Sequence, residues 1–437
     1  MRVFSVRPFA GRAGILGLIA VLSFLTLAVA AEPRHNTAQG DDPAGVLTLE
    51  AAVAATLARN PDLAASSFTL KAAAARIMQA QLRPNPELSV EIENFAGSGV
   101  LQGIDGLEST LSLSQVVELG GKRRLRSDLA LMDRDLLGVE RQAQELDVLV
   151  EVTRRFIALV AAQDRVALAA MTSAIAQRTL EAVAIRVQAA RSPEAELSRA
   201  SIALTRARVE VQQAESAMRA ARQVLAALWG SQHPGFTEAS GDLLTLRPVK
   251  PLEALLAALE GNPDYLRFAS EARLRDAELR LARAQARPNI VFGLGMRRLE
   301  EGKDLALVVG FSMPLPLSDR NQGGIREAEM LRAQTDAQRQ AALTRARATV
   351  FALYQELIAT GARVETLRSG ALAEAQQALE QTQYGYDRGR FSYLELATAQ
   401  QELLDLRAAI IDAAADYHRL LAEIERLTNE TLGLELP

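Results

Sequence analysis

Four stretches of the chain alternate apolar and polar residues with a period of two. Over 87–94, Leu88, Val90 and Ile92 alternate with Ser89, Glu91 and Glu93. Over 107–116, Leu107, Leu111 and Leu113 alternate with Glu108, Thr110, Ser112 and Ser114. Over 290–297, Ile290, Phe292, Leu294 and Met296 alternate with Val291, Gly293, Gly295 and Arg297. Over 304–313, Leu305, Leu307, Val309, Phe311 and Met313 alternate with small or polar residues. The spacing predicts strands with one apolar and one polar face. Gly-rich polar loops, 96–106 and 297–304, join them in pairs.

Between the pairs the period changes to three and four. Lys122 to Arg191 holds no proline and one glycine, Gly138. That is about 100 Å of helix at 1.5 Å per residue. Leu125, Leu129, Met132, Leu136, Val139, Ala143, Leu146 and Val150 form its apolar stripe. A returning helix is predicted over 194–229, and Leu317 to Leu436 is again free of proline. Leu403, Leu406, Ile410, Ala413, Tyr417, Leu420, Ile424 and Leu427 step 3-4-3-4, a pattern for supercoiled helix packing. Breaks at 191–193 and 387–391 turn the chain back.

The plan occurs twice at an offset of about 200 residues. Asn60-Pro61-Asp62 recurs as Asn262-Pro263-Asp264. AQLRPNPELSVEIEN (80–94) is echoed by AQARPNIVFGLGMRR (284–298), and SPEAELSRA (192–200) by FSYLELATA (391–399). So long a period marks duplication of a whole unit. The expected order is a signal peptide (1–31), a flexible arm (32–46), a first repeat (47–235), a linker (236–251), a second repeat (252–432) and a tail (433–437). The signal reading rests on Arg2, Arg7 and Arg12, an apolar run from Ile15 to Ala30, and an A-x-A site at 28–30.

Composition narrows the function. The chain has 437 residues, 49% apolar but only 4% aromatic, and its Ala and Leu favour helix. A net charge of −4 gives no reason to expect nucleic acid as a partner. Without cysteine there is no disulfide, thiolate metal site or lipid-modified N-terminal Cys. Three scattered histidines, His35, His233 and His418, are too few for an ordinary catalytic zinc site. Nothing resembles a Ser-His-Asp set, so no enzyme and no cofactor are expected. ELGGKRR (118–124) fails as a phosphate loop: Lys122 is followed by Arg123, and Val116 stands where a glycine is needed. Gly120, Gly121, Lys122 and Arg123 are expected instead at the junction of strand and helix.

No later segment is read as a transmembrane helix, so any span must be β. Strand alternation alone also fits a soluble hairpin resting on helices. If the strands do span a bilayer, four cannot close a barrel, and oligomerisation is required. The whole reads as a conduit through outer membrane and periplasm. A coiled-coil periplasmic adaptor or scaffold without a pore is the alternative of another class.

From about 46 to 430, the duplicated plan, the N-P-D and R-P-N signatures and the MPLPLSDRNQGG exit (313–324) resemble the TolC-type outer-membrane efflux factors. SQVVELGGKRRLR (114–126) is similar to their heavy-metal branch, the CzcC-like proteins. The resemblance implies a mainly helical homotrimer with a twelve-stranded β-barrel and a twelve-helix α-barrel. It implies a passive duct in outer-membrane lipid, docked to a periplasmic membrane-fusion adaptor and an inner-membrane RND pump. Divalent metal cations are the implied cargo; drug or solvent efflux, or a type I secretion duct, are the alternatives. YDRGRFSYLELATAQ (386–400) matches the family's tip motif. Tyr386 falls on an aromatic that holds the entrance shut, Glu395 on a pore acid, and Gly389 on the turn glycine. Thr398 replaces a second pore acid, Phe391 replaces a tip arginine, and Glu196 is the first-repeat equivalent of Glu395. The implied docking residues are Ser192, Pro193, Leu197, Ser198 and Arg199, with Gly389, Arg390, Phe391, Ser392, Tyr393 and Leu396.

Overall fold

A computed structural model describes residues 42–95 and 97–429. The signal, most of the arm and the tail lie outside them. Each repeat begins with short helices: α1 (Leu49–Arg59) and α2 (Pro61–Ala80), then α5 (Leu252–Ala258) and α6 (Pro263–Gln285). The N-P-D signature explains one join in each repeat. Asn60 accepts from the amides of Asp62 and Leu63, and Pro61 needs no amide partner as the first helical residue. Its Nδ2 also donates to Leu228 O at 2.8 Å. Asn262 repeats the device, accepting from Asp264 N and donating to Arg426 O at 2.7 Å. Each asparagine thus caps one helix and clamps the far end of another.

The strands are β2 (Glu87–Glu93), β3 (Glu108–Val117), β5 (Ile290–Leu299) and β6 (Asp304–Ser312). They form one antiparallel sheet in the order β2-β3-β5-β6. The register keeps the apolar residues on one face: Val90 opposes Leu111, Leu111 opposes Met296, and Met296 opposes Leu307. That face is bare, with Leu88, Leu307 and Val309 at least 70% exposed. Glu91, Thr110, Ser112 and Gly295 lie on the other face, and β2 and β6 are unpaired edges.

Long helices carry the rest. In the first repeat they are α3 (Lys122–Gln188), 67 residues without interruption, and α4 (Glu194–Ala227). In the second they are α7 (Gln322–Thr366), α8 (Leu372–Asp387) and α9 (Tyr393–Thr428). Lack of proline predicts one continuous helix for α7 and α8. The structure instead inserts a π-turn at Leu367–Ala371, where Arg368 Nη1 donates to Leu244 O at 3.0 Å. By length and composition α3 holds one stretch apolar enough to cross a membrane, 39% of it buried inside the protein.

The largest core lies midway along the helices. Phe156, Ile157, Leu159 and Val160 of α3 pack on Trp229, Phe236 and Leu243, and on Ala413 and Ala414 of α9. Residues 236–251, read above as a linker, are built into it. Strand β4 (Phe236–Ala239) pairs in parallel with β1 (Gly45–Leu47), which lies at the end of the arm. Gln163 of α3 brackets Ala239, accepting from its amide and donating to its carbonyl. Tyr417 Oη donates to Arg247 O, and His418 Nε2 lies 3.0 Å from Leu243 O. A carbonyl only accepts, so Nε2 carries the proton. His418 Nδ1 is then a buried acceptor without a partner among the described residues. Burial holds its pKa below the ordinary 6.5.

Candidate functional site

The two helical turns, 189–193 and 388–392, share one backbone design. At the first, Arg191 N donates to Arg186 O and Ala190 N to Val187 O. At the second, Arg390 N donates to Gly385 O and Gly389 N to Tyr386 O. Both are Schellman closures, which need one left-handed residue. Ala190 fills that place with φ 57° and Gly389 with φ 75°.

The turns differ in their start of the return helix. At Ser392 the hydroxyl accepts from Glu395 N, while the Glu395 carboxylate accepts from Ser392 N at 2.7 Å and from its hydroxyl at 2.8 Å. This capping box satisfies amides the helix leaves open. It holds the Glu395 carboxyl below the usual carboxylate range, chiefly through the Ser392 amide. Pro193 starts α4 without a side-chain cap. Glu196 occupies the third helical position there, half-buried.

A small core joins the two turns: Val183, Ala200, Tyr386, Tyr393 and Leu396 are buried, with Leu197 packed against them. Arg186, in the last turn of α3, spans the repeats. Its guanidinium lies 4.4 Å from the centre of the Tyr386 ring, donates to Tyr386 O, and reaches Ser192 Oγ at 3.4 Å. Phe391 packs over Gly385, where an added Cβ would lie 2.2 Å from the ring. Gln400 of α9 donates to Thr179 of α3 at 3.0 Å.

The expected site residues therefore separate. Glu395 and Thr398 are exposed, one helical turn apart on α9. Ser198, Arg199, Arg390, Phe391, Ser392 and Pro193 are exposed at the turns, and Ser192 is half-buried. Two expected docking residues need correction: Tyr393 and Leu396 lie inside the tip core, because the return helix turns its apolar stripe toward α3 and α8. Tyr386 is also fully buried, and its hydroxyl has no hydrogen-bond partner among the described residues; its contacts with Arg186 are made within one chain. Burial pushes the Tyr386 and Tyr393 hydroxyls up. Arg186 was missed from sequence. Two signals point to it: a cation in the last turn of a helix, favoured there by the dipole, and a place 200 residues before Tyr386.

At the other end, Gly120 and Gly121 both take positive φ, 76° and 70°, and turn the chain from β3 into α3. A side chain on Gly120 would lie 2.9 Å from Arg287 Cδ. Lys122 is buried rather than solvated, donating to Arg287 O and to Asn289 Oδ1 at 2.6 Å each. Arg126 pairs with Glu118, whose carboxyl it lowers. Arg123 is exposed. Asn321 mirrors Gly121: it sits at φ 56° before α7 and donates to Ala282 O. Among the described residues no group of His, Asp and Glu could hold a metal ion.

The chain is 31% identical over 420 residues to the cobalt-zinc-cadmium resistance protein CzcC of Cupriavidus metallidurans, covering 92% of this chain and 98% of that one. It is 28% identical over 276 residues to the nickel and cobalt resistance protein CnrC of the same species, covering 62% and 64%. The fold matches a crystal structure of CusC with a TM-score of 0.72 at 17% identity, covering 89% of this chain and 95% of that one. The model of the outer membrane efflux protein family matches residues 52–231 and 254–430, almost the whole of both repeats. The chain belongs to the outer membrane efflux protein family.

Proposed function

We propose that three copies of this chain form an outer-membrane duct that exports divalent metal cations. One observation carries the reading: a four-stranded sheet with a bare apolar face and two unpaired edges, continuous with helices of up to 67 residues. An open edge in lipid leaves backbone groups unsatisfied, so the edges must close on other copies. Three copies give a twelve-stranded barrel with polar residues inside. The same three copies gather α3, α4, α7, α8 and α9 into a helical barrel through the periplasm. The protein acts in the outer membrane and works by passage rather than chemistry.

The exposed residues of the two turns meet a membrane-fusion adaptor, which joins the duct to a proton-driven inner-membrane RND pump. Glu395 and Thr398 line the narrowest part. The metal cargo follows from the resistance proteins to which the chain is similar. A deletion strain with complementation tests it, grown on graded zinc, cobalt, cadmium, nickel and copper beside drugs and detergents. Selective metal sensitivity is expected. Sensitivity to drugs alone would keep the duct and replace the cargo. A soluble monomer in place of an outer-membrane trimer would overturn the duct.

A further inference from the structure

The two ends of the four-stranded sheet carry opposite charge. At the hairpin tips, residues 93–108 and 297–304, there are six acids and three cations. Where strands meet helices, residues 81–86, 118–126, 285–289 and 313–320, there are seven cations and two acids. Local partners occupy four of these cations: Glu118 takes Arg126, the Arg287 carbonyl with Asn289 takes Lys122, Asp128 pairs with Arg124 at 4.0 Å, and the Pro316 carbonyl accepts from Arg320. Arg83, Arg123 and Arg287 are exposed and form no ion pair among the described residues. Arg83 lines an open cleft of roughly 510 Å³ with Arg76, Leu82, Pro84, Glu118 and Arg126.

The same rim exposes large apolar side chains: Leu82, Leu315 and Leu317 are 56%, 67% and 78% exposed. Leu82 precedes Arg83 in the chain, and Leu315 and Leu317 continue the alternation of Leu305, Leu307, Val309, Phe311 and Met313 beyond the end of β6. Trp and Tyr ordinarily mark both interfaces of a membrane barrel. Here neither occurs in 81–130 or 284–325, and the single Trp, Trp229, is buried in the helical core. Free guanidiniums beside exposed leucines are the other chemistry suited to that depth: the stems lie along lipid and the heads meet phosphate.

We propose that the helix-side rim of the sheet binds the headgroups of anionic phospholipids, with Arg83, Arg123 and Arg287 as the phosphate contacts. The surface rests on the hairpins being the membrane span. The charge reversal gives the sheet a preferred direction in the bilayer, since the acidic tips repel the same headgroups.

The test uses the full-length assembly in vesicles of phosphatidylcholine, alone or mixed with phosphatidylglycerol. Flotation reports insertion, and mass spectrometry of gently extracted protein reports which lipid stays bound. The wild type is expected to retain phosphatidylglycerol over phosphatidylcholine. Each arginine replaced, as R83Q, R123Q or R287Q, should cut that preference about fivefold, the equivalent of about 1 kcal/mol per cation. The triple variant should show almost none, and R83Q alone serves if the triple variant misfolds. E374Q, on α8 away from the sheet, should leave it unchanged. Equal retention of both lipids by the wild type would overturn the proposal, as would an undiminished preference in the variants. Displacement of the lipid by millimolar inorganic phosphate would reassign the surface to a free anion. A protein that floats with neither vesicle would overturn the span itself, a failure distinct from the others.

Discussion

The first turn and the second follow the same path with different residues. Both close with the same pair of backbone hydrogen bonds. The second uses Gly389 for its left-handed residue, a serine cap and a capping box. The first uses Ala190, proline and no side-chain cap. The second turn is therefore stable by local chemistry. The first borrows stability from across the repeat, through Arg186 and the tip core. The long helices reverse the relation: α3 is unbroken, while its counterpart carries a π-turn. Duplication preserved the path and allowed each half to place its strong and weak points separately.

The sharpest test of the helix contrast is Val148→Pro. It removes a hydrogen bond in the buried middle of α3 and should cost about 3 kcal/mol or more. Urea unfolding of the assembled protein would show it, and wild-type stability would mean α3 does not need continuity. Next is Arg186→Ala, which removes the ring contact and the donors to Tyr386 O and Ser192, at about 2 kcal/mol. Amide exchange should rise at 186–193 and change little at 388–395, where the capping box holds the turn. Unchanged exchange at 186–193 would show that the first turn borrows nothing.

Smaller effects compare the left-handed residues directly. Gly389→Ala should lose about 1 kcal/mol through backbone strain, since its Cβ would touch only Arg186 at an ordinary 3.7 Å. Ala190→Gly should gain about 0.5 kcal/mol, because relief of strain exceeds the added freedom of the unfolded chain. Opposite signs in thermal unfolding are the expected result; equal signs would mean the turns are not equivalent. The weakest effect is a pH dependence in the middle core. Folded His418 binds its proton less readily than the unfolded chain does. Its neutral form thus adds stability that is full above pH 6.5 and falls as the pH drops below that value toward the depressed pKa. His418→Gln keeps a donor for Leu243 O and should flatten that part of the curve. An unchanged slope would assign it elsewhere.

Much of the fold was legible because it is periodic. Alternation places all four strands of the sheet within two residues of their ends, and the proline-free runs mark the long helices. What escaped has no period. Residues 236–251 read as a connection because Leu243 and the carbonyls of Leu244 and Arg247 gain partners only from side chains distant in sequence. The π-turn leaves no mark in a run of ordinary helix formers around Gly370. At the tips, motif and spacing located the turns but not the direction of each side chain. Tyr393 and Leu396 belong to an apolar stripe whose partners, Val183 and Ala200, lie about 200 residues earlier.

The central pair of the sheet has a consequence for the order of assembly. Strands β3 and β5 align residues about 180 positions apart, Val117 with Ile290 and Glu108 with Leu299. Closing so long a loop is slow, and an unpaired strand edge is prone to wrong partners while it waits. During synthesis the first hairpin is complete long before β5 exists. It must remain apart from other chains until the second hairpin arrives. The helices, whose contacts within each repeat are local, can form first and hold the two hairpins in register. The sheet is then the last part of each chain to close, and only a closed sheet has defined edges to offer a neighbour.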